Sequence, residues 1–393
     1  MPALLGFSEK ARWNARGRNR RQGPLKLLLL VFFFWIASRL CKYAAWKRNT
    51  IVPQDVKFAV DPNLPTPDPA SSPAHYGSVT KASAQNQCSA HGWRPFPMQT
   101  HRRKVYDLFM INNELDWLEI RLHEMHHYVD YFVILESATT FTGLPKPLTL
   151  KENWARFEKF HSQIIYHVLE NPPMEVHITW VHEDFQRNAM FKQVIPFLKN
   201  EQAANLGDVI LVSDVDEIPR PAALELMRYC DFPRRLTLRS RFYYYGFQWL
   251  HRGPEWAHPQ ATTYQGPSRT ILPADLRNGE GGNRFLNWFE KSDLFNAAWH
   301  CSSCFSTVDE MLNKMSSFSH TKLNEEKFRN RARIVDRVRN GLDLWDRKGE
   351  IYDRVEKNED VPSLLKENTA RFAYLLDRDS PTAGFQDVGP EKD

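Results

Sequence analysis

No asparagine in this 393-residue chain opens an Asn-x-Ser/Thr acceptor site, so N-glycosylation offers no check on topology. Cysteine is scarce: five residues, an odd number, with Cys41 beside an apolar run and Cys88, Cys230, Cys301 and Cys304 left for the rest. The stretch His300-Cys-Ser-Ser-Cys304 invites a haem or zinc reading. Haem attachment needs the histidine after the second cysteine, and zinc needs a second ligand pair, which is not evident. A disulfide or two packed thiols is the reading left. Internal repeats are missing as well. A basic surface is missing from most of the chain. Of 52 Lys/Arg, eleven fall in residues 1–50 against Glu9 alone, which leaves 41 basic and 46 acidic residues beyond. No nucleic-acid footprint extends over an acidic body. Nor is there an unbroken apolar run of the roughly 20 residues that cross a bilayer.

The run that is present, Leu27–Ala37, has eleven apolar residues behind a basic head. Extended to Trp46 it reaches spanning length if Arg39 and Lys42 snorkel to the far interface. A cleaved signal peptide is the rival reading, but the preceding arm is long and no small-x-small cleavage site follows. A nuclear-localisation reading of the basic stretch before it is the weaker one. The expectation is a cytoplasmic tail over 1–26, a transmembrane signal anchor over 27–46 and a Pro-rich stem over 47–103. Eight of the 25 prolines lie between residues 51 and 100.

The body is expected over 104–393. "KVYDLFMI" reads as a buried strand, and "LDWLEIRLHEMHH" as a helix with Leu115, Leu118, Leu122 and Met125 on one face. "VDYFVILE" is a second strand ending at Glu136. A Gly/Pro loop and a helix from about Glu152 follow, then a strand "IIYHVL" and a helix with a proline irregularity in "EDFQRNAMFKQVIPFLKN". "DVILVSD" is the next strand, and "PAALELMRY" opens a helix with proline in its first turn. Strands alternating with helices predict an α/β fold whose sheet is mainly parallel and helix-covered. Past residue 236 the pattern turns rich in strands and loops, and the last third returns to helix.

The segment "VILVSDVDEIPRP" drives an apolar strand into Asp214, Asp216 and Glu217 and then stops it with proline. In an open α/β sheet, ligands bind beyond the carboxyl ends of the strands. Two carboxylates there suit an oxygen-loving cation, Mg²⁺ or Mn²⁺, which in turn holds a diphosphate. The bland alternative is a solvated acidic turn. Phosphatases of the haloacid-dehalogenase type also carry Asp-x-Asp at a strand tip. They place Thr or Val where this chain has Ile218, put the motif on the first strand, and need a later acidic pair that is not found here.

"LVSDVDEIPRP", with "NNELDWLEIRLHEMHHYVDYFVILESATTFTGLPKPL", resembles the β-1,4-mannosyl-glycoprotein 4-β-N-acetylglucosaminyltransferase family. "EDFQRNAM", "AWHCSSCF", "NKMSSFSH" and "RFAYLLDR" agree in the same order, from about residue 104 to 378. The resemblance implies a GT-A nucleotide-sugar fold, a UDP-GlcNAc donor, a divalent metal and inversion at the anomeric carbon. It also implies a mannose of an N-glycan as acceptor, in β-1,4 linkage. Anchor and stem fit a type II Golgi membrane enzyme with its catalytic domain in the lumen. A lumenal glycan-binding protein without turnover is the non-enzymatic alternative.

Roles are assigned on that basis. Asp216 is expected to bind the metal directly, with Asp214 reaching it through water or holding the donor ribose. Glu217 either completes the shell or satisfies the helix that starts nearby. Glu136 is expected at the nucleotide, against a solvated strand end. Arg187 is expected at phosphate, against an ordinary ion pair. His300 is expected as the late histidine ligand of the metal, against a packed core histidine, with His320 in reserve. Trp249, Trp288 and Trp299 are candidate sugar platforms. Inversion needs a base for the acceptor hydroxyl; Glu290 is favoured, then Asp293.

Overall fold

A computed structural model of the chain describes residues 23–51, 80–97, 102–141, 143–172, 179–281, 287, 289–317 and 325–389. The chain divides into two compact units, Met1–Trp46 and Lys47–Asp393. The apolar run lies within a helix, Gly23–Arg48, and Leu27 to Trp35 are exposed along it. Side chains are described there only from 27 to 39. That is about 20 Å of helix at 1.5 Å per residue, against a hydrocarbon core of about 30 Å. Among the described residues no helix is long and apolar enough to cross a membrane. They therefore do not support the anchor expected over 27–46.

In the larger unit, Val105–Ile111 pairs in parallel with Tyr131–Glu136 on one side and Val209–Asp214 on the other, and Ile164–Val168 lies beyond Tyr131–Glu136. Across the sheet these four strands run third, second, first, fourth in chain order, read from Ile164–Val168. Alternate residues serve opposite faces. Tyr106, Leu108, Val133, Ile210 and Val212 pack with Met190 and Phe191. Val105, Phe109, Phe132, Ile134 and Leu211 pack with Leu118, Leu122 and Met125 of the helix Leu115–Met125. Burial on both faces is why these strands read as unbroken apolar runs. Chain order reverses between Val105–Ile111 and Val209–Asp214, a switch point of the kind beside which open α/β sheets bind their ligands.

Beyond the switch point the sheet is mixed, a departure from the mainly parallel expectation. Gln260–Thr263 lies antiparallel between Val209–Asp214 and Arg235–Tyr244. Lys291–Ser302 then runs parallel to Arg235–Tyr244, and Asn49–Ile51 parallel to Lys291–Ser302. The proline irregularity is present: the helix Thr179–Ala189 widens over Met190–Val194 and tightens at Ile195–Phe197. Pro221 does open the helix Pro221–Tyr229. The helix expected from Glu152 is instead a single turn, Thr149–Glu152, followed by tight helical turns over Trp154–Gln163.

Residues 80–97, expected to belong to a stem, are folded. Lys81–Ala90 is a helix capped by Thr80, whose side chain accepts the Ser83 N–H. Trp93 is buried, Arg94–Pro95 pairs with Cys230–Asp231, and Cys88 is disulfide-bonded to Cys230 across 142 residues. Proline content alone signalled a spacer there, but a cross-link and a buried tryptophan fold 80–97 onto the body.

Candidate active site

The strand Val209–Asp214 delivers Asp214 to the sheet edge, the chain turns at Val215 and Asp216, and Glu217–Pro219 returns antiparallel against Ala298–His300. Three acids at one turn repel, so something must hold it. Arg121, fully buried on the helix Leu115–Met125, is held by Asp107 at 2.6 and 2.7 Å. Its guanidinium donates to the carbonyls of Asp214 at 3.1 Å and Glu217 at 2.6 Å, and to the Ser213 hydroxyl. A buried charge is tolerated only when its partners are complete. This one is neutralised by Asp107 and spends its remaining donors on the backbone of the acidic turn.

The three acids meet different surroundings. Asp214 has one oxygen 2.9 Å from Arg187 and the other 2.5 Å from Arg277. Burial works to raise its pKa, but the two guanidiniums outweigh that and hold it below the usual range. Glu217 is fully buried; Arg277 donates to both its oxygens at 2.8 Å, Trp256 Nε1 donates to one at 2.8 Å, and the other accepts the Asp214 N–H at 2.9 Å. Burial again opposes ionisation there, and Arg277 keeps the carboxyl well below its ordinary value. Asp216 has no arginine. Burial raises its pKa against the pull of His300 and Lys314, and Asp214 and Glu217 raise it further. Nearby His258 is pushed down to about 4, by burial first and then by Arg277, so it is neutral at physiological pH.

His300 reaches this turn from the strand Lys291–Ser302, with Glu217 as its backbone neighbour in register. Its ring stacks on Phe242 at 5.1 Å and on Trp256 at 5.3 Å. The Nδ1 atom is buried without a hydrogen-bond partner and faces Asp216 Oδ1 at 3.7 Å. The adjoining cysteines, Cys301 and Cys304, form a disulfide, in keeping with the non-metal reading of that pair.

Not every expected residue joins this group. Glu136 is fully buried and turned inward: it accepts the Leu150 N–H at 2.9 Å and the Tyr166 hydroxyl at 2.7 Å, with Lys146 at 4.0 Å. Its partners are thus a backbone amide, a tyrosine hydroxyl and a lysine of its own neighbourhood, and it does not join the acidic turn. Glu290 and Asp293 sit at the opposite end of the His300 strand. Asp293 is seven residues from His300, on the order of 20 Å along a strand, and is paired with Arg239 at 2.5 Å. Glu290 lies further back, 3.9 Å from Arg234. Neither reaches the acidic turn. Arg187 stands beside the acidic turn, where it pairs with Asp214 and with Glu183 at 2.7 Å, its own helical neighbour. Trp249 and Trp299 are core residues; Trp299 lies under Arg220 at 4.1 Å and donates to Asp360 at 3.0 Å. Trp288 and His320 lie outside the described residues. Arg121, Arg277 and Trp256 were missed. Arg121 carried one faint signal, a charge on the apolar face of its helix.

Among the described residues, no group of three His, Cys, Asp or Glu side chains is arranged to hold a metal ion. Asp214, expected as a ligand, has both oxygens committed to arginine. Asp216 and His300 fit a cation better: an unpartnered buried nitrogen opposite a carboxylate supplies two ligands and leaves the other positions to water or phosphate oxygen.

A switch-point strand tipped with acids, two arginines and an Asp–His pair gathers charges of both signs at one edge of an α/β sheet. The chain belongs to glycosyltransferase family 17, which it matches over residues 23–380. It is 28% identical to the human β-1,4-mannosyl-glycoprotein 4-β-N-acetylglucosaminyltransferase over 325 residues, 74% of this chain and 59% of that protein. The rat protein of the same name is 28% identical over 305 residues, 70% and 55% of the two chains. The chain thus spans less than two thirds of the curated relatives it matches. A mannosyltransferase from Pyrobaculum calidifontis, solved with GDP-Man and Mn²⁺, is alike at a TM-score of 0.31 and 9% identity, covering 60% of this chain and 68% of its own. That likeness is too slight to argue from.

Proposed function

We propose that this chain is a metal-dependent inverting glycosyltransferase that moves GlcNAc from UDP-GlcNAc to a mannose of an N-glycan in β-1,4 linkage. Family membership supports the reaction class. The observation that carries the site is the division of labour at the acidic turn: Asp214 faces arginine, Asp216 faces His300. Asp216 and His300 would hold Mn²⁺ or Mg²⁺, which supplies positive charge to the leaving diphosphate. Arg187 and Arg277, already gathered at Asp214, set two cations beside the acidic turn, where the diphosphate would lie. The acceptor hydroxyl oxygen bonds to the anomeric carbon as the bond from that carbon to the diphosphate oxygen breaks. The electron pair leaves with UDP and the hydroxyl proton passes to a base.

A lumenal setting in the Golgi belongs to the same proposal. Two disulfides in a chain this poor in cysteine favour an oxidising compartment. Membrane attachment would run through the exposed apolar run Leu27–Trp35, and carbonate extraction of full-length protein checks it. The reaction is tested by incubating the full chain and Mn²⁺ with a panel of UDP- and GDP-sugars and N-glycan acceptors, read by mass spectrometry. A mass gain of one N-acetylhexosamine from UDP-GlcNAc, with a β-1,4 linkage on mannose, is the expected product. Transfer of a different sugar, or no transfer from any donor, would overturn the reading.

A further inference from the structure

Trp256 is one of the large hydrophobic side chains left exposed on the body, at 37%. It is nonetheless held at several points. Its backbone exchanges two hydrogen bonds of 2.9 Å with Ser240, its indole N–H donates to buried Glu217 at 2.8 Å, and its ring lies at 23° to that of His300. Phe242 supports the pair from 5.6 Å. An exposed tryptophan with backbone, ring nitrogen and ring packing all fixed is a pre-organised apolar surface rather than a mobile side chain. It lies in the loop that leads into Gln260–Thr263, on the side of Asp214 away from the parallel strands.

Trp256 bridges Ser240 on the edge of Arg235–Tyr244 that faces Gln260–Thr263, between the strand tip at Asp214 and the strand that carries His300, and it touches the acidic turn through Glu217 and the His300 ring by stacking. A nucleotide-sugar whose diphosphate is held at the Asp216–His300 pair has its sugar beside Trp256, the exposed apolar surface that touches that pair. We infer that Trp256 is the platform for the sugar being transferred, with the apolar face of the pyranose ring resting on the indole and Glu217 fixing the indole's orientation. The inference rests on the nucleotide-sugar reading above, and it names the residue that distinguishes a UDP-sugar from UDP. Glu217, read from the sequence as a metal or helix-cap candidate, thereby acts through Trp256 as a positioning residue.

The test is calorimetric binding of UDP and of UDP-GlcNAc to the full chain with Mn²⁺, for wild type, W256A and W256F. The platform predicts that W256A weakens UDP-GlcNAc about tenfold and leaves UDP within about twofold, while W256F recovers most of the loss. As a readout that needs no truncation, 5-fluorotryptophan-labelled wild type should show one ¹⁹F resonance, the one missing from W256F, that moves with UDP-GlcNAc and not with UDP. Equal loss of both ligands, or loss confined to the KM of the acceptor, would overturn the inference. Wild-type protein that binds neither ligand would instead overturn the proposed function.

Discussion

Glu136 and Asp214 both stand at the carboxyl ends of parallel strands in the same sheet, separated by one strand. Glu136 turns inward, fully buried, onto the amides and hydroxyl of its own neighbourhood. Asp214 stays about one-third exposed and meets two arginines drawn from elsewhere in the chain. The difference lies in the path the chain takes on leaving each strand. After Glu136 the chain loops back and offers the N-terminus of Thr149–Glu152, whose free N–H groups a carboxylate satisfies. After Asp214 the chain reverses at once under the grip of Arg121, which takes up the carbonyls and leaves the Asp214 carboxylate to the arginines. An acid at a strand tip is therefore half a site; the turn behind it decides which way it faces.

The largest effect that would sharpen this contrast is at Asp216. D216N should cut GlcNAc transfer about a thousandfold, since metal stabilisation of a leaving group amounts to several kcal/mol and each 1.36 kcal/mol is tenfold in rate. Its fold should not suffer. The raised pKa of Asp216 means that its stabilising contribution is full below the unfolded carboxyl pKa and lost as pH rises through the folded one. D216N should consequently melt at or slightly above wild type at pH 7, and the gap should close in acid. A marked loss of melting temperature would show the carboxylate holding the turn.

Arg277 should behave in the opposite way. R277M strips the main partner from a fully buried Glu217 and one partner from Asp214, which should cost about 3–5 kcal/mol of stability by chemical denaturation. A stable R277M would mean that Trp256 and the Asp214 N–H suffice for Glu217. E136Q breaks the other side of the comparison. It should lose about 1–3 kcal/mol from the disturbed buried hydrogen bonds while transfer per folded molecule stays at the wild-type rate; a selective loss of UDP affinity would restore Glu136 to the nucleotide site. Smallest of all, D293N removes a part-exposed pair with Arg239, worth up to about 1 kcal/mol. Transfer should change less than about twofold, and a collapse in rate would return the base to that end of the strand.

Local chemistry made the parallel half readable. Strands buried on both faces advertise themselves as apolar runs, and Asp214 and Asp216 stand where a run stops. His300 was found from its neighbours in sequence, and the contact with Asp216 follows from the pairing of Glu217–Pro219 with Ala298–His300. Arg277 and Trp256 were out of reach because their meaning lies in partners 63 and 39 residues away. The partners of Glu136 were out of reach for the same reason: nothing in "VDYFVILE" says that Tyr166 and Leu150 will close over it. Glu290 and Asp293 stand away from His300, since sequence proximity becomes distance once the segment is extended.

Everything proposed for the site depends on which aspartate meets the metal. Binding of Mn²⁺ to full-length protein in the presence of UDP, monitored by electron paramagnetic resonance, separates the two directly. D214N should retain manganese, because the Asp214 oxygens already belong to Arg187 and Arg277, whereas D216N should lose it. Manganese bound normally by D216N and lost by D214N would contradict that assignment.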